Sequence, residues 1–204
     1  MNLNVANYLI GTRALGPYNR AVVWVQGCCF HCPGCISPEW IEQKENRLVP
    51  VETIADLILS DATIEGLTIS GGEPMLQAAA LCELIDNLKI RREINIISFT
   101  GFRMENLITH PPSKDVHRLL DKIDVLVDGQ YVARLNNGKG LRGSTNQRVH
   151  HLTNSLSSFD LENQNRNLEY ILHDGSLEMV GIPPRNIEIT MELLYSSITE
   201  IESR

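Results

Sequence analysis

Apolar runs that stop at glycines alternate with amphipathic stretches along the first two-thirds of the chain. The run from Val22 to Gln26 ends at Gly27, the pattern of a strand buried on both faces. Gly66 to Ser70 repeats it before Gly71-Gly72-Glu73-Pro74, Glu93 to Thr100 before Gly101, and Ile123 to Val127 before Asp128-Gly129. Between these runs, Pro50 to Ser60 carries Ile54, Leu57 and Ile58 at helical spacing, and a long helix is predicted from Leu76 to about Arg92. Pro111-Pro112 breaks the chain, and Ser113 can cap a short helix through Leu120. Strands alternating with helices predict an α/β fold with a mainly parallel sheet. Leu9-Ile10-Gly11 reads as a short leading strand, and Gly16-Pro17-Tyr18-Asn19 as a turn.

The pattern changes after the fourth strand. Residues 141–152 carry too many hydrogen-bonding side chains for an ordinary core strand, and read as a solvated loop unless they serve a site. Leu156 to Asn167 is polar and Asn-rich, as a linker or flexible loop would be. Leu168 to His173 and Ser176 to Gly181 flank Asp174-Gly175, a hairpin signal. Pro183-Pro184 follows, and Asn186 to Glu202 has helix-compatible spacing with many β-branched residues. The expected division is a core of residues 1–152 and an extension of residues 153–204. The extension would cover a sheet edge, pair two copies into a homodimer, or recognise a different protein or peptide.

Composition narrows the function classes. The chain has 204 residues, 43% of them hydrophobic, which allows one domain with a sizeable core. A net charge of −7 without a basic run argues against nucleic acid and against an anionic membrane surface. No apolar run reaches the length of a membrane span. Clustered reduced cysteines fit a cytoplasmic location.

Four of the five cysteines lie between Cys28 and Cys35, in the order Cys-Cys-Phe-His-Cys-Pro-Gly-Cys at the carboxyl end of the first buried strand. Open and barrel α/β folds place their ligands at that end. Three thiolates at Cys28, Cys32 and Cys35 can hold a [4Fe–4S] cluster and leave one iron free for a substrate. A structural zinc site would need a second Cys or His pair. Cys82 sits in a helix-like apolar run, and His150 and His151, being adjacent on an extended segment, point to opposite faces. A disulfide framework fits neither the odd count nor the absence of a signal peptide.

The spacing Cys28-x-x-x-Cys32-x-x-Cys35 after Ala21-Val22-Val23-Trp24-Val25 resembles the signature of the radical S-adenosylmethionine enzymes. Cys29 would give a different spacing and is taken as a neighbour that is not a ligand. Ser70-Gly71-Gly72-Glu73-Pro74 resembles that family's second hallmark, which meets the amino group of S-adenosylmethionine. Taken alone, two glycines after a strand mark only a turn. Val125 to Gly129, followed by Arg142-Gly143-Ser144-Thr145-Asn146-Gln147, is similar to the branch that activates anaerobic ribonucleotide reductase. So is the Cys32-Pro33-Gly34-Cys35 ending, where Gly34 stands in place of the aromatic residue many of these enzymes carry.

The resemblance covers roughly residues 5–152. It implies a partial (β/α) barrel, a [4Fe–4S] cluster on Cys28, Cys32 and Cys35, and S-adenosylmethionine held near Gly34, Ile36, Gly71, Gly72 and Glu73. Ser98 and Thr100 are weaker candidates, with Asp128 and Arg142 behind them. It implies reductive cleavage to a 5′-deoxyadenosyl radical, hydrogen abstraction from a glycine of the reductase, and an electron donor such as flavodoxin or ferredoxin. The chemistry belongs to the cofactors, so no general acid or base is assigned. Relatives of this type end near the equivalent of His150-His151, so the extension leaves another protein, peptide or small-molecule substrate open. A non-enzymatic iron–sulfur electron carrier is the reading from another class, but a carrier has no use for the Gly71–Pro74 turn. Trp24 reads as core. Trp40 would shield the cluster or simply pack, and His31 would tune the cluster or merely be exposed. His173 reads as a surface residue, and Cys82 as a small buried apolar side chain.

Overall fold

The computed structural model describes residues 1–173 and 176–184. Asp174-Gly175 and the Asn186 to Glu202 stretch lie outside the described residues. A seven-stranded sheet has the order β3-β1-β2-β4-β5-β6-β7. Its centre is the predicted run of parallel strands: β2 (Arg20–Val25), β4 (Gly66–Gly71), β5 (Asn95–Thr100) and β6 (Val125–Asp128). Helix α1 (Val51–Ser60) joins β2 to β4 after a loop and an edge strand, and α2 (Ala78–Lys89) joins β4 to β5. Two short helices, α3 (Met104–Thr109) and α4 (Val116–Leu120), join β5 to β6. No helix among the described residues is long and apolar enough to cross a membrane.

Antiparallel strands extend both ends of the parallel run. The leading strand β1 (Asn2–Thr12) has eleven residues rather than a few, and pairs with β2 and with β3 (Arg47–Pro50). Its register shifts between Val5 and Asn7 and again between Ile10 and Thr12, which breaks the alternation that would have marked its length in the sequence. At the other end β7 (Arg148–His151) pairs with β6, so part of the segment read as a loop is an edge strand. It is polar because Arg148 and His150 turn toward Asp128 while His151 faces solvent. A 3₁₀ turn, Pro74–Gln77, leads into the long predicted helix, with Pro74 in its first turn, where a missing N–H costs nothing. The sheet is α/β and open: among the described residues β3 and β7 do not pair with each other.

Each face of the sheet carries its own core. Ala21, Val23, Val25, Leu67, Ile69 and Ile96 meet α1 and α2 through Ile54, Ile58, Leu81, Leu84, Ile85 and Leu88. Burying each of the large aliphatic side chains contributes about 1.5–3 kcal/mol. Cys82, fully buried, belongs to this cluster. The opposite face presents Val22, Trp24, Ile97 and Val125, and no helix among the described residues covers it. Leu15, Leu141, Leu156 and Leu161 fill part of it, together with Val180 and Ile182.

The extension therefore departs from expectation in two places. Leu156 to Asn167 is irregular but is not a free linker, since Leu156 and Leu161 are buried. The Leu141 and Gly140 N–H groups donate to the carbonyls of Leu161 and Gln164 at 2.7 and 2.8 Å. Its polarity serves its own turns: the Asp160 carboxylate accepts from the backbone of Glu162 and Asn163. Strands β8 (Leu168–His173) and β9 (Ser176–Gly181) form the predicted hairpin as a separate two-stranded unit. It packs on the helix-free face through Ile171, Val180 and Ile182 instead of extending a sheet edge.

Candidate functional site

The register Val25↔Gly71, Ile69↔Ser98, Thr100↔Asp128 brings the carboxyl ends of the four parallel strands to one rim. The loop after β2 leaves this rim and doubles back. The N–H groups of Gly27 and Cys28 donate to the carbonyls of Trp40 and Ile41, both at 2.9 Å. Cys35 N–H donates to the Cys32 carbonyl at 3.0 Å, closing the tight end of the loop. Cys28, Cys32 and Cys35 are half-buried, Cys29 is exposed, and all four are free thiols.

The loop borders a cavity of about 360 Å³. Cys28, Cys32, Cys35 and Ile36 line it together with Gly71, Gly72, Glu73 and Thr100. Trp24, Trp40 and Phe99 supply apolar wall, the two tryptophan rings lying 5.8 Å apart and tilted by 42°. Cys29 and Gly34 are not among the lining residues.

Burial pushes the Cys28 thiol up to about 12, and nearby Glu73, Cys29 and Cys32 add to the rise against the Phe30 N–H bonded to its sulfur. Burial raises Cys32 as well. Among the described residues no Lys or Arg lines the cavity to offset this. Thiolates are the metal-binding form, so these positions require a partner that brings its own positive charge. Iron would supply it, and three free thiols lining one cavity fit a cluster with three protein ligands. Among the described residues no three His, Cys, Asp or Glu groups converge on one ion. A cube needs no such convergence, because each thiolate binds a different iron.

The second predicted motif is built by contact between two loops. Gly72 and Glu73 N–H donate to the carbonyls of Val25 and Gly27 at 2.7 and 2.8 Å. A Cβ on Gly71, whose φ is +97°, would lie 2.5 Å from the Val25 nitrogen, and one on Gly72 would lie 2.2 Å from the Gly27 oxygen. Both glycines are thus required for the turn to sit on the root of the cysteine loop. Glu73 is buried, and its carboxylate accepts from Met75 N–H at 3.0 Å, Thr100 Oγ1 at 2.8 Å and Gly101 N–H at 2.7 Å. Burial raises its pKa to about 7 against those three bonds. Its carboxylate is mostly spent on joining the β4 turn to the end of β5.

The remaining candidates divide. Thr100 lines the cavity, but its hydroxyl is engaged with Glu73. Ser98 is fully buried away from the cavity, with its only bond to the Phe99 carbonyl. Asp128 is fully buried and takes bonds from Arg148, Arg103, the Met104 N–H and His150. Burial pushes its carboxyl up, but those donors outweigh it and hold the pKa well below the ordinary carboxylate range. Asp128 thus joins α3, β6 and β7 just behind the rim. Arg142 is not among the lining residues and bonds the Gln147 carbonyl and Glu162. His150 is held by Asp128, and His31 and His151 are exposed.

Sequence reasoning did not single out Phe30, Phe99, Gln130, Tyr131, Met179 or Ile182, all of which line the cavity. Phe30 stacks edge-on against Phe102 with ring centres 4.8 Å apart, joining the cysteine loop to the end of β5. A signal was present for Gln130 and Tyr131, since they follow the fourth strand–glycine junction. None was present for Met179 and Ile182, which arrive from the extension.

A loop of four free cysteines on the carboxyl rim of a parallel sheet, stitched to a Gly-Gly-Glu-Pro turn, is the arrangement expected of an iron–sulfur protein of the radical S-adenosylmethionine class. A family model described as a 4Fe-4S single cluster domain matches residues 14–150. The anaerobic ribonucleoside-triphosphate reductase-activating protein of Enterobacteria phage T4 is 31% identical over 150 residues, covering 71% of this chain and 92% of that relative. The protein of the same name from Vibrio cholerae is 32% identical over 146 residues, 68% of this chain and 91% of the relative. A pyruvate formate-lyase-activating enzyme of Staphylococcus aureus is 38% identical over 80 residues, 36% of this chain and 32% of that enzyme. The chain belongs to the 4Fe-4S single cluster domain family within the radical S-adenosylmethionine superfamily, and it is similar to the reductase-activating proteins.

Proposed function

We propose that this protein is a glycyl-radical activase for an anaerobic ribonucleoside-triphosphate reductase, with Cys28, Cys32 and Cys35 as the ligands of a [4Fe–4S] cluster. Cys28, Cys32 and Cys35 would hold the cluster and the Gly71–Glu73 turn would hold S-adenosylmethionine, and together the two groups would supply one-electron chemistry for hydrogen-atom abstraction from a glycine of the partner. The carrying observation is that three free thiols and the Gly71–Glu73 turn share one cavity on the strand rim. The names and coverage of the relatives support the partner.

The chain's own residues bind, orient and exclude water. Backbone carbonyls at the Gly71-Gly72 turn can accept from the ammonium of S-adenosylmethionine. Glu73 acts mainly on the turn's position, through Met75, Thr100 and Gly101. Ile36, Trp24, Trp40 and Phe99 keep water from the reacting atoms. The one-electron donor would be a small carrier of the flavodoxin or ferredoxin type.

The test is anaerobic. Reconstituted wild type and Cys32→Ala are given a strong reductant and S-adenosylmethionine, and iron, sulfide and 5′-deoxyadenosine are quantified. Cluster-dependent product that disappears in the variant supports the radical chemistry. A glycyl-radical signal on adding the reductase identifies the partner. Product formed without any signal on the reductase would move the substrate to another protein, peptide or small molecule. Bound cluster and S-adenosylmethionine with no product, even with the reductase added, would refute the enzyme reading.

A further inference from the structure

The polar segment Arg142-Gly143-Ser144-Thr145-Asn146-Gln147 lies between β6 and β7, yet Ser144 and Gln147 are buried. Buried polar side chains have to find partners, and here they find them in one neighbouring segment, residues 129–135. Gln147 Nε2 donates to the Gly129 carbonyl at 2.7 Å, and Asn146 Nδ2 to the Gln130 carbonyl at 2.9 Å. Ser144 Oγ accepts from Val132 N–H at 3.1 Å, and Thr145 N–H donates to the Leu135 carbonyl at 2.9 Å. Four consecutive residues thus grip the backbone of the other segment. Gln147 is also fixed by its own loop, since its Oε1 accepts from Ser144 N–H at 3.1 Å.

The gripped segment lies against the outer end of the cysteine loop. Tyr131, at its middle, lines the cavity together with Cys32 and Cys35. The Tyr131 ring passes over Gly143, where a Cβ would lie 2.8 Å from Cδ2, and the Tyr131 hydroxyl accepts from Asn136 Nδ2 at 3.3 Å. Ala133, two residues on, faces the loop between Cys32 and Cys35: a Cβ on Gly34, whose φ is +75°, would lie 3.2 Å from the Ala133 Cβ. The side of Gly34 where a larger residue would project is therefore taken by the gripped segment. The Tyr131 N–H, which none of these bonds uses, faces the Cys32 thiol and opposes the rise that burial causes there.

The two ends of the cysteine loop are held by different parts of the chain. Its root is fixed by the β4 turn, through the Glu73 N–H to the Gly27 carbonyl, and by the carbonyls of Trp40 and Ile41. Those contacts reach Cys28 and stop. Cys32 and Cys35 lie beyond them, and the loop itself offers these two the bond from Cys35 N–H to the Cys32 carbonyl. A loop held at its root and free at its tip would not keep three thiols at one spacing.

We infer that Gln147, with Ser144 and Asn146, is a positioning residue of the cysteine site: it clamps the Gly129–Ala133 segment against the outer end of the cysteine loop and so fixes where Cys32 and Cys35 stand relative to Cys28. This rests on the reading of the three cysteines as cluster ligands. Hydrogen bonds to the ligand sulfurs and their exposure to solvent set the potential of such a cluster. The clamp therefore acts on how easily the cluster is reduced, without touching the Gly71–Glu73 turn.

The test is the reduction midpoint of the reconstituted cluster, titrated anaerobically without S-adenosylmethionine or reductase and followed by electron paramagnetic resonance. Gln147→Met keeps the length of the side chain and removes both amide bonds. Its cluster is expected to be reduced at a lower potential than that of the wild type, with an altered resonance signal, because a loosened Tyr131 N–H no longer stabilises added charge beside Cys32. Asn146→Ala loses only the bond to Gln130 and shifts the midpoint the same way by less. It decides the matter if Gln147→Met fails to fold by circular dichroism or to hold iron. Ile85→Val lowers stability from the core on the helix side, away from the clamp, and leaves the midpoint where it was. In the iron-free chain, Gln147→Met should speed hydrogen exchange both at Val132, whose N–H meets Ser144, and at Cys35, whose N–H closes the loop.

A folded, iron-replete clamp variant with the wild-type midpoint and signal overturns the inference. So does an equal shift in Ile85→Val, and so does faster exchange at Val132 with none at Cys35. None of these readings needs radical chemistry, so the clamp can fail while 5′-deoxyadenosine formation upholds the activase reading, and the reverse.

Discussion

Replacing Glu73 with Gln sets two effects of similar size against each other. Burial raises the Glu73 carboxyl from 4.5 to about 7 despite three hydrogen bonds to its charged form, which corresponds to about 3 kcal/mol that the buried charge costs the folded state at neutral pH. The sign follows from linkage. Below pH 4.5 both folded and unfolded chains hold the proton, and there is no cost. Between there and pH 7 the unfolded chain releases the proton first, so this group lowers stability as pH rises. Above pH 7 the cost is constant. Glutamine carries no charge and escapes this cost. It fails elsewhere, because one carboxylate oxygen accepts from Met75 N–H and Thr100 while the other accepts from Gly101 N–H. An amide group can satisfy only one side, and its NH₂ meets a donor on the other, at about 1–3 kcal/mol. Glu73→Gln should therefore be less stable than wild type at pH 5 and should equal or exceed it at pH 8. At roughly 2–4 °C per kcal/mol for a chain of this size, the melting difference should swing by about 6–12 °C. Thermal unfolding of the iron-free proteins by circular dichroism, from pH 5 to pH 8, measures it. A melting difference that stays constant across that window would show that Glu73 is not a buried titrating group, and the account of the turn would be wrong.

Three further outcomes follow from the same contacts. Gly72→Ala places a methyl 2.2 Å from the Gly27 oxygen and should cost about 1–3 kcal/mol or more. After reconstitution it should also retain less iron than wild type, read by a colorimetric iron assay, because the displaced loop carries Cys28. Cys29→Ser should keep the iron content and visible absorbance of the wild type while Cys28→Ser loses most of both, since only Cys28 of the two lines the cavity. Asp128→Asn leaves Arg148, which is partly exposed, facing Glu105 alone and should cost about 1–3 kcal/mol at pH 7, because buried donors lose a charged acceptor while the remaining cation stays in contact with water. Asp128 is held below the ordinary carboxylate range, so its contribution is present above that range and lost as the pH falls through it. Urea midpoints of wild type and variant should therefore converge below pH 4.

The parallel strands were legible because each is an apolar run stopped by a glycine or by Asp128-Gly129. The cysteine spacing was legible because ligand number and loop position are local properties. What escaped had non-local causes. Strand β1 hides behind two register shifts, and the polarity of β7 reflects its partner Asp128, twenty residues upstream of Arg148. The Leu156 to Asn167 segment looks like a linker because its anchors, Leu156, Phe159, Leu161 and Arg166, are scattered without a period, while its asparagines and aspartate serve local turns. Ser98 and Thr100 are neighbours on one strand with hydroxyl side chains, and sequence alone could not separate them. The packing does: Thr100 reaches Glu73, whereas Ser98 bonds only the Phe99 carbonyl of its own strand.

The site's location follows from how the open sheet disposes of its second face. A closed barrel fills its interior with its own layered side chains. Here β2, β5 and β6 turn Val22, Trp24, Ile97 and Val125 toward a space that no helix among the described residues covers. Leaving that much apolar surface in water would be costly, so other parts of the chain must occupy it. Leu15, from the turn after β1, and Leu141, Leu156 and Leu161, from irregular segments, occupy part of the space. They come in by loops because a few leucines suffice, and loops can satisfy their own backbone through short turns. At the carboxyl rim the same solution would displace the cysteine loop, so there the cover has to stand off from the sheet. A hairpin can do that: its two strands pair with each other and need no partner from the sheet, and its base alone has to be anchored. The cavity is what remains between the filled interior and that self-supporting cover.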